Sequence, residues 1–367
     1  MRVAVISHTY VLLANRGKFE KLASLLGLRV VLVVPRAWKN RDIRQRFRAE
    51  PPYEGSFSVA PVAGWSFGFG SLTTYSPLAL WRLIREFRPD LLHLEEEPWT
   101  VAAFEVALIS RLLKIPLTFF TWENTDRRLP MPFRIMRWVL FSRAAAAVAG
   151  STGAKALLER HGFAKPVIVL PQLGVETSRQ HVRATGVPDQ PRVIGYVGRL
   201  VPQKGLLRLL EAVARLPRNV RLMVVGTGPL RNDVIGKCRS LGIELNLHEG
   251  VSHAEIPRYL QSMDVLVLPS LTTTKWKEQF GHVLIEAMAC GVPVVGSNSG
   301  AIPEVIGDAG IVVPEGNVEA LTEALQRLLS APELRADLSA RGRARVSGHY
   351  TNVAVAHRLA AFWQDVV

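Results

Sequence analysis

Cysteine is nearly absent: the 367 residues hold two, Cys238 and Cys290. Two thiols cannot build a disulfide framework, and their scarcity fits a reducing compartment. Long apolar runs are missing as well. Arg143 interrupts the best candidate, Trp138 to Gly150, so no segment reaches bilayer-spanning length. The opening Met1-Arg-Val-Ala-Val-Ile-Ser7 runs straight into a strand pattern, with too few apolar residues for a signal peptide. No repeat of solenoid period is present. His8, His161, His253 and His349 lack metal-ligand spacing to cysteines or carboxylates and read as structural. No serine-centred nucleophile elbow appears. These absences point to a soluble, cytoplasmic protein.

Acid is scarce in one half only. Residues 1–185 carry 26 Lys+Arg against 14 Asp+Glu, whereas residues 186–367 carry 19 against 17. A basic first half beside a near-neutral second half implies that the two meet different partners. Nucleic acid, an anionic membrane surface and an anionic substrate are the candidates for the basic half.

What is present is alternation. Short Val/Ile/Leu runs, such as Val3–Ile6, Val30–Val34, Leu91–Leu94, Leu117–Thr121, Val193–Val197 and Val265–Leu268, alternate with helical patterns such as Leu206–Arg215 and Val318–Leu329. Continuous apolar strands between helices predict parallel sheets covered on both faces. The polar stretch from Gly174 to Pro191 has neither period, and a new strand follows it. The expected architecture is α/β, two doubly wound Rossmann-like domains facing a central cleft. Their spans are 1–178 plus 350–367, and 190–349. Ligands of such sheets bind beyond the carboxyl ends of the strands.

Two motifs carry chemistry. In Gly198-Arg199-Leu-Val-Pro-Gln-Lys204-Gly205, directly after the strand that opens the second domain, two cations stand five residues apart. Arg offers a planar fork and Lys a point charge, which suits a diphosphate; the plainer reading is a solvated loop. In Glu278-Gln-Phe280-Gly281-His282-Val283-Leu-Ile-Glu286-Ala-Met-Ala-Cys290-Gly291, a glycine turn opens a helix over Val283–Ala289. The first amides of that helix, near Gly281, His282 and Val283, suit a phosphate. Glu286 falls on the side of His282 by i,i+4 spacing, where a carboxylate accepts vicinal hydroxyls. Two exposed helix acids are the bland alternative. Cys290 reads as core. Gly226-Thr-Gly228-Pro-Leu-Arg231 is half a dinucleotide fingerprint whose third glycine is Arg231, which argues against a dehydrogenase.

GRLVPQKG followed by EQFGHVLIEAMACGVPVV resembles the retaining glycosyltransferases of family 4, which have the GT-B fold. Gly226-Thr-Gly-Pro, Gly250-Val-Ser, Asp264-Val-Leu-Val-Leu-Pro-Ser270 and Gly300-Ala-Ile-Pro-Glu304 agree with it, and the resemblance covers essentially the whole chain. It implies that Arg199 and Lys204 bind a donor diphosphate, that Glu286 binds the ribose, and that Glu278 contacts the donor sugar. It places the backbone near Val251 at the base, and makes Tyr350 to Val367 a last helix crossing back to the first domain. The implied activity is retaining transfer of a sugar from a UDP- or GDP-linked donor to an acceptor hydroxyl. No cofactor or metal is expected: Arg199, Lys204 and the helix amides supply the charge stabilisation. With few side chains placed to be a nucleophile, front-face substitution through an ion pair is favoured. A nucleotide-sugar 2-epimerase of the same fold and a non-catalytic nucleotide-sugar-binding protein remain the alternatives.

The first domain departs from the family pattern. Where the family has a glycine-rich loop after the first strand, the chain has Ala14-Asn-Arg-Gly17, with Gly17 its only glycine. Phe120-Thr-Trp-Glu123-Asn124 resembles the family's Thr-x-His-Asn, with Glu123 in the histidine's place. Glu123 stabilises charge developing on the sugar, holds a sugar hydroxyl, or caps a turn with Asn124. Six cations and two aromatics, including Trp38, Arg41 and Arg44, crowd into Arg36–Arg48. A second basic cluster, including Arg134 and Arg137, is interleaved with Phe133, Ile135, Met136, Trp138 and Leu140. Cations mixed with apolar side chains fit an anionic membrane surface. In this fold the first domain takes the acceptor, so a lipid-linked or cell-envelope glycan acceptor at the inner membrane face is expected. A solvated basic face is the alternative. Nucleic acid is not expected, since no binding motif accompanies the charge.

Overall fold

The computed structural model describes residues 1–40, 45–49, 57–66, 73–176 and 191–367. The chain divides into two compact units, Met1–Gly174 with Asn352–Val367, and Val175–Thr351. The two chain crossings lie side by side: Val175 N–H donates to the Tyr350 carbonyl at 2.8 Å, and Val175 pairs with Thr351.

Among the described residues, the main sheet of the first unit has seven strands: β1 (Arg2–Ile6), β2 (Arg29–Pro35), β3 (Ser58–Val62), β4 (Leu91–Leu94), β5 (Leu117–Thr121), β6 (Ala146–Ala149) and β7 (Val167–Val169). They form one parallel sheet in the order β7-β6-β5-β4-β1-β2-β3. Side chains alternate between its faces, so a run apolar at every position needs cover on both. Val3 and Val5 join the core beneath α1 (Gly17–Leu26) and the C-terminal helix Asn352–Gln364. Ala4 and Ile6 join the other core, beneath α2 (Pro77–Phe87), α3 (Val101–Leu113), α4 (Met131–Arg143) and α5 (Thr152–Arg160). The C-terminal helix is therefore integral to this sheet. Its Trp363 is fully buried, with its ring 5.2 Å from that of His93.

The second unit repeats the plan with β8 (Arg192–Val197), β9 (Val220–Val225), β10 (Glu244–His248), β11 (Val265–Leu268), β12 (Val294–Ser297) and β13 (Gly310–Val313). Its parallel order is β10-β9-β8-β11-β12-β13. Among the described residues, seven helices accompany it: α6 (Leu206–Val213), α7 (Arg231–Leu241), α8 (Ile256–Gln261), α9 (His282–Ala289), α10 (Ile302–Ile306), α11 (Val318–Ser330) and α12 (Pro332–His349). Each sheet reverses its winding at its first strand, leaving a crevice beyond β1 and β4 in one unit and β8 and β11 in the other. That crevice is where a ligand approaches such a sheet.

Two features are absent from the reading of the sequence. Ser58–Val62 forms an edge strand that its Pro61 disguises, proline being tolerated in sheets at edges. Ala37–Asn40 pairs with Gln45–Arg48, and Gly64–Ser66 with Thr73–Tyr75, as small antiparallel ladders. Lys204 ends a short 3-10 turn, Pro202–Lys204, and α6 starts after Gly205.

Candidate functional site

At the switch point of the second sheet, the loop after β8 meets the loop after β11. Lys204 Nζ donates to Glu278 Oε2 at 2.6 Å, and Ser270 Oγ donates to the same oxygen at 2.8 Å. The ammonium also lies 5.3 Å from the Trp276 ring centroid. Glu278 is buried, and Arg199, on the same loop as Lys204, is exposed. Leu271 N–H to the Gln203 carbonyl, 2.8 Å, ties the two loops together. Gly226 serves this packing: a Cβ there would lie 1.9 Å from the Gly198 carbonyl oxygen. The GTG sequence thus holds the β8 and β9 loops in contact.

Gly281 starts α9 with φ 81, a conformation that a side chain disfavours. It sets the first turn of that helix, His282 and Val283, beside Glu278. Phe280 is buried, with its ring against Tyr350 at 5.7 Å. Glu286, one turn in, sits between two histidines. His253 Nε2 is 2.8 Å and His282 Nδ1 is 3.3 Å from its Oε1. Burial pushes the Glu286 carboxyl up, but the hydrogen bonds and charge of His253 and His282 outweigh it and hold it down to about 2. Val251 lies two residues before His253, half-buried on the loop after β10. His253 is thus a correction to the reading that left it structural. Among the described residues, His253, His282 and Glu286 are also the group whose metal-capable atoms converge, all within 4.8 Å. The signal in the sequence was proximity to Val251; only the fold shows that the loop reaches α9.

The first sheet's switch point is polar but mostly locked. Lys18 Nζ donates to Glu95 Oε1 at 2.7 Å and to the Gln172 carbonyl at 2.8 Å, while Gln172 Nε2 and Tyr10 O–H also donate to Glu95. Burial pushes Glu95 up, yet Lys18 and His93 hold its carboxyl at about 2. His8 also differs from a plain structural histidine: its backbone N–H donates to Glu96 Oε1 at 2.8 Å, and its Nδ1 is 2.7 Å from Oε2. Sequence reasoning missed this network because its bonded partners lie up to 154 positions apart.

Glu97 and Glu123 are different. Glu97 accepts from Thr121 Oγ1 and from the Trp122 N–H at 3.0 Å. Glu123 is 8% exposed. Burial first, and then the Glu97 carboxylate, raise its carboxyl to about 7 against the pull of Arg127 and Arg137. A carboxyl that titrates near neutrality can exchange a proton or accept a hydroxyl.

The other first-domain expectations fare unevenly. A Cβ on Gly17 would lie 2.4 Å from Asn352 Nδ2, so the glycine's immediate role is to admit the C-terminal helix. Trp38 is half-buried and stacks on His8 at 4.9 Å. Arg41 and Arg44 lie outside the described residues. Arg137 turns inward to His161 Nδ1 at 2.9 Å, whereas Arg134 is exposed.

Two family descriptions divide the chain: "Glycosyl transferase 4-like domain" matches residues 18–172, and "Glycosyl transferases group 1" matches 177–345. The 2-deoxystreptamine glucosyltransferase of Streptomyces kanamyceticus is 28% identical over 290 residues, 70% of this chain and 73% of that one. The GDP-mannose-dependent alpha-(1-6)-phosphatidylinositol monomannoside mannosyltransferase of Mycolicibacterium smegmatis is 35% identical over 167 residues, covering 43% of this chain and 44% of that relative. The chain thus spans under half the length of that relative. Among solved structures, Anabaena HepE in complex with UDP-glucose superposes with a TM-score of 0.72 at 17% identity, covering both chains fully. That likeness shows the GT-B fold.

Proposed function

We propose that this chain, which belongs to the group 1 glycosyltransferases and places a glycosyltransferase 4-like domain ahead of that one, is a retaining hexosyltransferase. It moves a sugar from a UDP- or GDP-linked donor to a hydroxyl of a lipid-linked or cell-envelope glycan. The donor lies in the Val175–Thr351 unit and the acceptor in the other. Lys204 and Arg199 take the diphosphate, with the first amides of α9 and the Gly226 loop beside it. Glu286 accepts the ribose hydroxyls, Glu278 and Phe280 line the sugar, and the backbone at Val251 meets the base.

The observation that carries this reading is the cluster beyond β8 and β11. A lysine, two carboxylates and an uncapped helix start converge there. The Lys204 ammonium neutralises a diphosphate that gains charge as the sugar departs, and fixed amides do so without reorganising. No step requires a metal. Glu123, held near neutrality, faces the hydroxyl chemistry of the first domain.

The HepE complex with UDP-glucose supports a nucleotide-sugar donor, and the phosphatidylinositol monomannoside mannosyltransferase supports a lipid-borne acceptor. Working at the inner face of the cell membrane, as a peripheral cytoplasmic protein, follows from that acceptor.

Screening labelled UDP- and GDP-sugars for hydrolysis, with NMR of the released anomer, tests the proposal. Retained configuration is expected. Inversion would overturn the mechanism, and an epimerised nucleotide sugar without release would overturn the transferase. Glu286→Ala should weaken nucleoside-diphosphate binding, whereas Glu278→Ala should mainly lower turnover; the reverse pattern would exchange their roles.

A further inference from the structure

The helices α2 to α5 cover one face of the first sheet, and α3 and α4 lie side by side in that layer. Their outward residues are unusual. On α3, Leu108 and Leu112 are 40% and 73% exposed; on α4, Met131, Ile135 and Trp138 are 64%, 52% and 69% exposed. The spacings i,i+4 and i,i+4,i+7 put each set on one stripe. Five of the eleven large apolar side chains exposed among the described residues therefore fall on two neighbouring helices. Scattered exposed leucines are ordinary, but a contiguous patch marks a contact surface.

The same layer is rich in cations that meet no acid. Among the described residues, Arg111, Lys114, Arg134, Arg143 and Lys165 form no ion pair. Arg143 instead donates to the Ser110 and Ile115 carbonyls at 3.2 and 2.7 Å, and Lys165 to those of Phe141 and Ser142 at 3.0 and 2.8 Å. These bonds gather the C-terminal ends of α3 and α4. Burial and the nearby Arg111 lower the pKa of Arg143, and burial and Arg143 lower that of Lys165, as expected of like charges lacking a counterion. The two helices carry one carboxylate between them, Glu105, and it accepts from Thr74 Oγ1 and the Tyr75 N–H. Beside the stripe runs a groove of about 510 Å³, lined by Arg134, Ile135, Trp138, Phe163 and Lys165 among others.

We propose that this outward face of α3 and α4 docks on an anionic lipid bilayer, with the apolar stripes entering the interface and Arg134, Arg111 and Lys114 meeting lipid phosphates. Amphipathic helices lie in the plane of a membrane in this way, apolar side inward and cations at the headgroups. A second copy of the chain fits poorly, because a two-fold contact would set the unpaired cations against each other. Nucleic acid fits poorly too: single strands need stacking platforms, and Trp138 is the only aromatic on the two stripes. The proposal deepens the membrane-held acceptor reading and names where the bilayer would sit.

Co-sedimentation of the full chain with phosphatidylglycerol or phosphatidylcholine vesicles tests it. Wild type should pellet with the anionic vesicles, weaken steeply with salt, and stay in solution with the neutral ones. Arg134→Gln should weaken binding about fivefold, the equivalent of ~1 kcal/mol per cation. Ile135→Asp with Trp138→Asp should abolish it, and brominated lipid should quench a fluorescence component that Trp138→Phe removes. Unchanged melting and unchanged nucleoside-diphosphate affinity in these surface variants would confirm that they fold. Wild-type binding by the double variant, or wild type left in the supernatant with anionic vesicles at low salt, would overturn the docking face. So would salt-sensitive binding to duplex DNA in place of vesicles. Donor hydrolysis, measured separately, reports on the transferase reading alone.

Discussion

Each sheet sets a lysine against a glutamate at its switch point, and the two pairs differ in access to water. Lys18 and Glu95 are 2% and 0% exposed through their side chains, Gln172 and Tyr10 donate further hydrogen bonds to the carboxylate, and His93 Nε2 lies 3.4 Å from it. Lys204 and Glu278 are 14% and 8% exposed, and the lysine lies over the Trp276 ring. A fully buried pair enclosed by its own side-chain neighbours is part of the architecture. A pair still touching solvent, beside an uncapped helix start, can release one partner to an arriving anion. The same topology thus yields one crevice closed by its own side chains and one arranged for exchange.

The comparison breaks most visibly at Lys18. Lys18→Met leaves a buried carboxylate without its ammonium and should cost ~3–5 kcal/mol of stability in urea unfolding. Adding Glu95→Gln should restore much of it. Lys204→Met should cost far less; equal losses at the two sites would erase the distinction drawn here.

Glu123 sharpens the contrast within the first unit. Its carboxyl is raised from 4.5 to about 7, so folding favours the protonated form. That contribution is fully present below the unfolded value and is lost as pH rises through about 7. Relative to Glu123→Gln, wild type should therefore lose up to ~3 kcal/mol between pH ~4.5 and pH ~7, then level off. A difference independent of pH, in melts of both proteins, would show that the carboxyl does not titrate there. Wild-type turnover in the same variant would remove its charge from catalysis.

In the second unit, Lys204→Ala and Arg199→Ala should each weaken nucleoside-diphosphate binding by roughly 1.5–3 kcal/mol, as loss of a charged hydrogen bond does. Calorimetric titration measures this, and unchanged affinity in both variants would move the donor elsewhere.

The smallest effect is expected at His253. Its side chain is 63% exposed, and its hydrogen bond to Glu286 raises its pKa above 6.5. His253→Ala should cost under ~1 kcal/mol. The loss should be present in acid and fade as pH rises through the raised value. A loss that persists unchanged in alkali would mean that the protonated ring contributes nothing.

Much of the site was legible beforehand because its signals are local. GRL-x3-KG and Glu-x7-Glu place their cations and carboxylates on loops and a helix start that the strand pattern already locates. Lys204 and Glu278, 74 positions apart, meet because β8 and β11 are neighbours. That adjacency belongs to the parallel winding rather than to either segment. Glu123 was singled out by its place in a motif, but its raised pKa depends on burial and on Glu97 arriving from the β4 end. The roles of His8, Gln172 and His253 were not legible, because each acts across a distance that no periodicity spans.

By itself, the sequence determined the alternation of buried strands and helices, the two halves of unequal charge, and the glycine turns that only certain loops can use. Those depend on side-chain period and backbone freedom, which neighbours in the chain already settle. Tertiary structure alone decided which charges are paired and which apolar residues are covered. Within one helix it buried Leu140, turned Arg137 toward His161, and left Ile135 and Trp138 in solvent. A helix's own sequence offers several apolar faces; the sheet it packs against takes one, and the rest of the surface is what remains to act.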